Sequence, residues 1–340
     1  MNGYISFNAA RQTQAEILGG RVLPHLRAQV SELSARGVLQ GRGPVFTGIG
    51  ASHAAAAGGV WRLRDRGVDA WRLSAGDNPI PPPDGDRLVF GISQSGRSTE
   101  TIASLDSPHR ERRAAIVNRP QSPVGDLAAH VVDLGSVNDS YASTLGYTAT
   151  AMAVALIAEA WDGGAPDSTW ERLPEAIAQA RSDLAARVED SVNLFRGAQY
   201  ADFVAAGSSL GTAEVGALLL REVARVASAG FGTRQYLHGS MESASDGVHV
   251  FFGAHREAAA ADVLANAGHK VVFMTDSDAT TAASVCDLRL PRFTPTQRPL
   301  IEAVLLQDFI EGVAGVRGVE IEEFVFHHDD TKVAASARDE

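Results

Sequence analysis

Cysteine is nearly missing from this chain: one residue in 340, Cys286, so an intramolecular disulfide and a cysteine-cluster metal site are both excluded. Lysine is almost as scarce. Of thirty Lys and Arg residues only Lys270 and Lys332 are lysine, so amine chemistry falls to those two side chains or to the N-terminus. No apolar run approaches the length of a bilayer span; "TATAMAVALIAEAW" is too short and contains Glu159. The opening "MNGYISFNAARQTQAEIL" has no basic stretch ahead of an apolar core, so no secretory signal is read there. A soluble, cytoplasmic protein without a membrane partner is expected. There is no excess of positive charge either, and a net charge of −11 argues against nucleic acid as a partner.

What is present is ordinary globular composition, 45% apolar and 21% charged, in a length that suits two domains. Ile17, Val22, Leu26, Val30 and Leu33 fall on one helical face, so residues 1–35 read as a helical segment. Strand and helix signals then alternate. "PVFTGIG" precedes the small-residue helix "ASHAAAAGGVWRLR", "RLVFGIS" precedes "RSTETIASL", and "AAIVN" precedes "SPVGDLAA". "HVVDLG" ends the set before a long helix predicted over 141–161. Alternation of this kind predicts a parallel sheet covered on both faces.

The pattern repeats. "ADFVAAGSS" echoes "GPVFTGIGAS", "GVHVFFGAH" echoes "DRLVFGISQ", "KVVFMTDSD" echoes "AAIVNRPQS", and "VCDLRLP" echoes "HVVDLGS", each roughly 155 to 160 residues later. A duplicated α/β unit follows, with boundaries at 36–165 and 195–326, a polar connector helix over 166–194 and a tail over 327–340.

In open parallel sheets, ligands sit beyond the carboxyl ends of strands, where loops meet helix N-termini. "GISQSGRSTE" (91–100) occupies such a place. Hydroxyls of Ser93, Ser95 and Ser98 and the amide of Gln94 supply donors, exposed N–H groups favour an anion, and Gly96 permits close backbone approach. A serine-rich cap would need only one of these residues. The lysine-bearing phosphate loop G-x-x-x-x-G-K-[ST] is absent.

At this point the chain resembles the sugar isomerase (SIS) domain family. "GISQSGRSTE" is similar to its phosphosugar loop, and "GIGASHAAA" to its G-x-G-[TS]-S-x-x-A loop. "YASTLGYTATAM" resembles its A-S-T-K segment, and "EVGALLLREVARVASAGFGTRQYLHGSME" its stretch E-x-A-L-K-L-K-E-…-E-x-x-H-G-P. The resemblance covers roughly residues 40 to 335. It implies two tandem SIS domains with pseudo-twofold symmetry, each a flavodoxin-like five-stranded parallel sheet flanked by helices. It further implies a homodimer with shared active sites, no cofactor and no metal. Ser52, Ser93, Gln94, Ser95, Ser98 and Ser143 match phosphate- and sugar-contact positions. Glu222 matches the glutamate that moves a proton between the first two sugar carbons, and His238 the histidine that assists ring opening. Lys332 sits near the place of a catalytic C-terminal lysine, although its spacing from Gly318 is longer than the pattern. Each residue type suits its step: a carboxylate of raised pKa returns the proton, histidine works near neutrality, and a cation stabilises the developing enolate. Taken alone, Glu222 also fits a helix-face salt bridge, His238 a loop histidine and Lys332 an exposed tail.

The implied function is a phosphosugar isomerase or deaminase on a hexose 6-phosphate such as glucosamine 6-phosphate or fructose 6-phosphate. Glutamine-dependent synthesis is disfavoured, since the sole cysteine is internal. Departures from the pattern are specific: Leu145 and Leu219 replace lysines, Arg221 replaces another, Ser240 stands for the proline and Gln235 for a glutamate. They motivate an alternative, a phosphosugar sensor without turnover. A sugar-responsive transcription factor is disfavoured: the acidic charge opposes it, and about forty residues before the first strand are too few for a typical helix-turn-helix domain. "GAHREAAA" in the second copy lacks the hydroxyl cluster, so one phosphate site per chain is expected. "HHDD" (327–330) reads as a solvated tail, "IPPPDGD" (80–86) as a turn, and Cys286 as a buried apolar residue.

Overall fold

The computed structural model describes residues 3–76, 85–322, 324–326, 328 and 330–334. Most of the "IPPPDGD" turn, and His327 and Asp329 of "HHDD", lie outside the described residues.

The N-terminal segment is α1 (Phe7–Ile17) and α2 (Leu23–Ala35), joined by a π-helical turn at Leu18–Val22. Ser6 caps α1 by accepting the Ala9 N–H at 3.2 Å. The first α/β unit runs β1 (Val45–Gly48), α3 (Ala51–Ala55), α4 (Ala57–Asp65), β2 (Trp71–Ser74), β3 (Val89–Ser93), α5 (Thr99–Leu105), β4 (Arg113–Val117), α6 (Pro123–Leu127), β5 (His130–Asp133) and α7 (Leu145–Ala160). The connector is not one helix but two, α8 (Leu173–Asp183) and α9 (Ala185–Leu194), broken at Leu184. The second unit comprises β6 (Tyr200–Ala205), α10 (Leu210–Ala224), β7 (Ala227–Gly232), α11 (Thr233–Leu237), β8 (Val248–Phe252), α12 (His255–Asn266), β9 (Lys270–Thr275), β10 (Cys286–Arg289) and α13 (Arg298–Arg317).

Each sheet has five parallel strands. The first is ordered β2-β1-β3-β4-β5 and the second β7-β6-β8-β9-β10, the same order once strands are matched along the chain. The expectation of two five-stranded parallel sheets flanked by helices holds. The edge strands β2 and β7 escape a hydrophobicity reading, because "WRLS" is charged and half-open and "ASAGFG" is made largely of small residues.

One hydrophobic cluster runs through both halves. It joins Phe46, Phe90 and Ile116 of the first sheet to Phe203, Val250 and Phe252 of the second through α7, α10 and α13. Every residue of α7 is buried, as an apolar-all-round helix must be when it lies between layers. The outer faces have their own clusters, Val45, Val89 and Leu105 under α5 and α6, and Val204, Phe251 and Phe273 under α12. Both faces of both sheets are therefore covered, which is what parallel strands require. Cys286 is only partly buried, at the start of edge strand β10, with its Sγ 3.3 Å from Ser191 Oγ. No helix among the described residues is long and apolar enough to cross a membrane.

Candidate functional site

β3 is buried along its whole length between β1 and β4, so the turn that follows it is held at the carboxyl edge of the first sheet. Ser93 ends the strand 2% exposed, its Oγ donating to Ser98 Oγ at 3.3 Å across the mouth of the turn. Ser95 Oγ accepts the Arg97 N–H at 3.3 Å. Gly96 has φ +67°, and a Cβ there would lie 2.0 Å from Ser122 Oγ. The close approach anticipated at Gly96 is thus to the β4–α6 loop. Ser52, at the start of α3 one strand over, is partly exposed beside the same edge, its N–H on the Ile49 carbonyl at 3.2 Å.

The remaining side of the turn is organised by Asp139, which sequence reasoning missed. Its Oδ1 accepts the Thr144 hydroxyl at 2.6 Å and the Leu145 N–H at 3.0 Å. Its Oδ2 accepts the Gly146 N–H at 2.9 Å, the Ser143 hydroxyl at 3.1 Å and the Gln94 Nε2–H at 2.8 Å. One buried carboxylate therefore caps α7 and ties it to the loop. This is why α7 starts at Leu145 rather than at the anticipated Tyr141: the N–H groups that Asp139 caps are those of Thr144, Leu145 and Gly146. Burial drives the Asp139 pKa up, while these hydrogen bonds work in the opposite sense. The available signal was an Asp a few residues ahead of a long apolar helix. A Cβ at Gly146 would fall 2.0 Å from Gln94 Nε2, so a side chain there would push the Gln94 amide off Asp139.

Glu222 comes from the other half. α10 lies along α3, with the Glu214 carboxylate on Arg72 at 2.7 Å and the Leu218 side chain beside Gly50. One turn further, at the end of the helix, stands Glu222. It is partly buried, and burial alone pushes its carboxyl up to about 7. Leu219, three residues before it, is 1% exposed, and Arg221 is committed to the Ser228 carbonyl at 2.7 Å, so neither supplies an offsetting charge. The salt-bridge role that the sequence left open for Glu222 has no counterpart among the described residues.

Lys332 meets the loop directly. An antiparallel bridge pairs it with Ser98, the Val333 N–H donating to the Arg97 carbonyl at 3.0 Å and the Thr99 N–H to the Thr331 carbonyl at 3.3 Å. Opposite residues of such a bridge share a face. Ser98 turns its hydroxyl toward Ser93, so the bridge sets the backbone of Lys332 beside the serine cluster. The tail reaches this position by way of Glu322, which accepts the Phe7 N–H at 2.8 Å, and Phe324, edge-on to Tyr141 at 5.8 Å.

His238 is not brought to the loop within the chain. It is exposed at the end of α11, where its N–H closes the helix on the Arg234 carbonyl at 3.1 Å. That short helix is firmly seated: Thr233 donates to buried Glu257 at 2.7 Å, and Tyr236 meets Asp202 at 3.1 Å and His249 at 2.9 Å. The matching crevice of the second half is spanned by Arg298, also unanticipated, which pairs with Asp276 at 3.2 Å and Glu302 at 3.1 Å and donates to Ser209 at 3.1 Å.

A doubly wound sheet with a serine-lined turn at its carboxyl edge is here packed against a second sheet of the same strand order. Residues 44–160 match the family model described as SIS domain, and the chain carries that domain. Over 272 residues, 72% of its length, it is 24% identical to glutamine–fructose-6-phosphate aminotransferase [isomerizing] of Thermosynechococcus vestitus, and it spans 44% of that relative. Among solved structures, it superposes on the C-terminal domain of glucosamine-fructose-6-phosphate aminotransferase from Francisella tularensis with a TM-score of 0.79 at 18% identity, covering 95% of this chain and 99% of that one. Tagatose-6-phosphate ketose/aldose isomerase from Escherichia coli gives 0.78 at 14%, covering 95% and 96%. These structural likenesses extend the shared fold across both halves.

Proposed function

We propose that the chain is a phosphosugar isomerase or aminosugar-phosphate deaminase acting on a hexose 6-phosphate, with glucosamine 6-phosphate and fructose 6-phosphate the leading substrates. The observation that carries this reading is a carboxyl near neutrality, Glu222, on a helix that leans against the turns around the serine cluster. Ser52, Ser93, Gln94, Ser95, Ser98 and Ser143 hold the phosphate and the sugar chain. Glu222 takes a proton from one of the first two carbons and returns it to the other, which a base with a pKa near 7 does with little driving force lost in either direction. Lys332, arriving over Ser98, offsets the enolate charge. His238 opens the ring from the partner subunit of a homodimer, a placement its exposure in the single chain supports. The repeated strand order supports a pseudo-twofold relation between the halves.

The test is incubation of purified protein with each sugar phosphate, following ammonia release and ketose formation. Turnover in the wild type and its loss in Glu222→Gln are expected; absence of turnover with every hexose 6-phosphate overturns the reading. A second reading, a sensor that binds without turnover, is favoured by the burial of Leu145 and Leu219 where relatives of this pattern carry lysine. It requires binding without product and unchanged affinity in Glu222→Gln.

A further inference from the structure

Arg97 lies inside the serine-rich turn, where its charge suggests a phosphate ligand, yet its guanidinium is turned the other way. Nε donates to the Val333 carbonyl at 2.8 Å and Nη2 donates to the same oxygen. The Arg97 carbonyl in turn accepts the Val333 N–H at 3.0 Å. One residue therefore grips Val333 by main chain and side chain at once. The other fastenings nearby are modest: the Thr99 hydroxyl on the Asp330 carbonyl at 2.9 Å and the Thr99 N–H on Thr331. Beyond Phe324, which packs on the core, Val325 and Phe326 are 58% and 79% exposed, so this stretch of the tail has little apolar burial to hold it. Segments of that kind sit at the low end of local stability, where a charge-assisted bond counts for more.

We propose that Arg97 is a positioning residue that clips the C-terminal strand over the serine turn, and so sets Lys332, rather than a ligand of the phosphate. The assignment rests on the proposed sugar-phosphate function for its kinetic consequence, but the clip itself does not. Arg97→Met removes both guanidinium bonds; Arg97→Lys retains one donor without the fork.

Amide hydrogen exchange on the ligand-free protein reads the clip directly. The Val333 and Thr99 amides are expected to exchange at least roughly tenfold faster in Arg97→Met, the loss of a hydrogen bond from a charged donor. Arg97→Lys falls between, and the β3 amides stay unchanged as a control for folding. With a turned-over sugar phosphate, Arg97→Met lowers kcat while leaving KM within about twofold, and has no further effect in a Lys332→Met background. Unchanged exchange at Val333 overturns the proposal. So does a large rise in KM at constant kcat, the signature of a lost phosphate ligand. If the wild type turns over no sugar phosphate, the functional reading falls and the exchange result still decides the clip.

Discussion

Replacing Glu222 with glutamine tests the site where its energetics are most unusual. In the unfolded chain this carboxyl titrates near 4.5, and in the fold near 7, because burial disfavours the charge and no cation among the described residues offsets it. Below both values the group is neutral in either state and the shift has no effect. As pH rises from 4.5 the unfolded chain loses its proton first, so the folded state is progressively penalised, and the penalty levels off once pH passes 7. At 1.36 kcal/mol per unit, the penalty reaches about 1.4 kcal/mol at pH 5.5 and about 3 kcal/mol at pH 8.5. Glutamine has the same shape and never ionises. The stability advantage of Glu222→Gln over the wild type, from urea denaturation, should therefore grow by about 2 kcal/mol between pH 5.5 and 8.5 and be flat above that. The difference between pH values matters more than its size at one pH, since changed hydrogen bonding adds a constant. In parallel, the wild-type kcat/KM should climb with pH through about 7 as the base loses its proton. A stability difference that does not vary with pH would refute the claim that burial raises the Glu222 pKa.

Two further predictions concern the frame of the site. Asp139→Ala strips the partner from the Leu145 and Gly146 N–H groups and from Gln94, and should cost about 2–4 kcal/mol in equilibrium denaturation, with faster exchange at the start of α7. Gly96→Ala forces a Cβ against Ser122 Oγ in a left-handed conformation; it should cost roughly 1–2 kcal/mol and weaken the thermal shift induced by a hexose 6-phosphate.

Strand β3 and its serine turn were readable as sequence because a continuous apolar run ended in small polar residues, and the tertiary structure leaves that local pattern unchanged. The duplication was equally legible, since four strand motifs recur in order and the two sheets share one strand order. Edge strands β2 and β7 were not, because an edge needs no apolar run to stay paired on one side. The break of the connector at Leu184 likewise has no breaker residue to announce it. Asp139 was overlooked for a different reason: its place ahead of a long apolar helix hints at a cap, but its role comes from reaching two segments at once, Gln94 on one side and the first turn of α7 on the other.

Local patterns along the chain decided where a serine-lined turn would follow a buried strand and that two similar units would form. Hydrogen-bonding groups and apolar periodicity are properties of short stretches, so they survive in a string of letters. Only the packed molecule decided that Glu222 loses part of its solvent and its pKa rises toward neutrality, that Arg97 faces the tail, and that Lys332 lies across from Ser98. Those outcomes depend on which distant segments exclude water or come within bonding distance, and that is settled when the two sheets close on a common core.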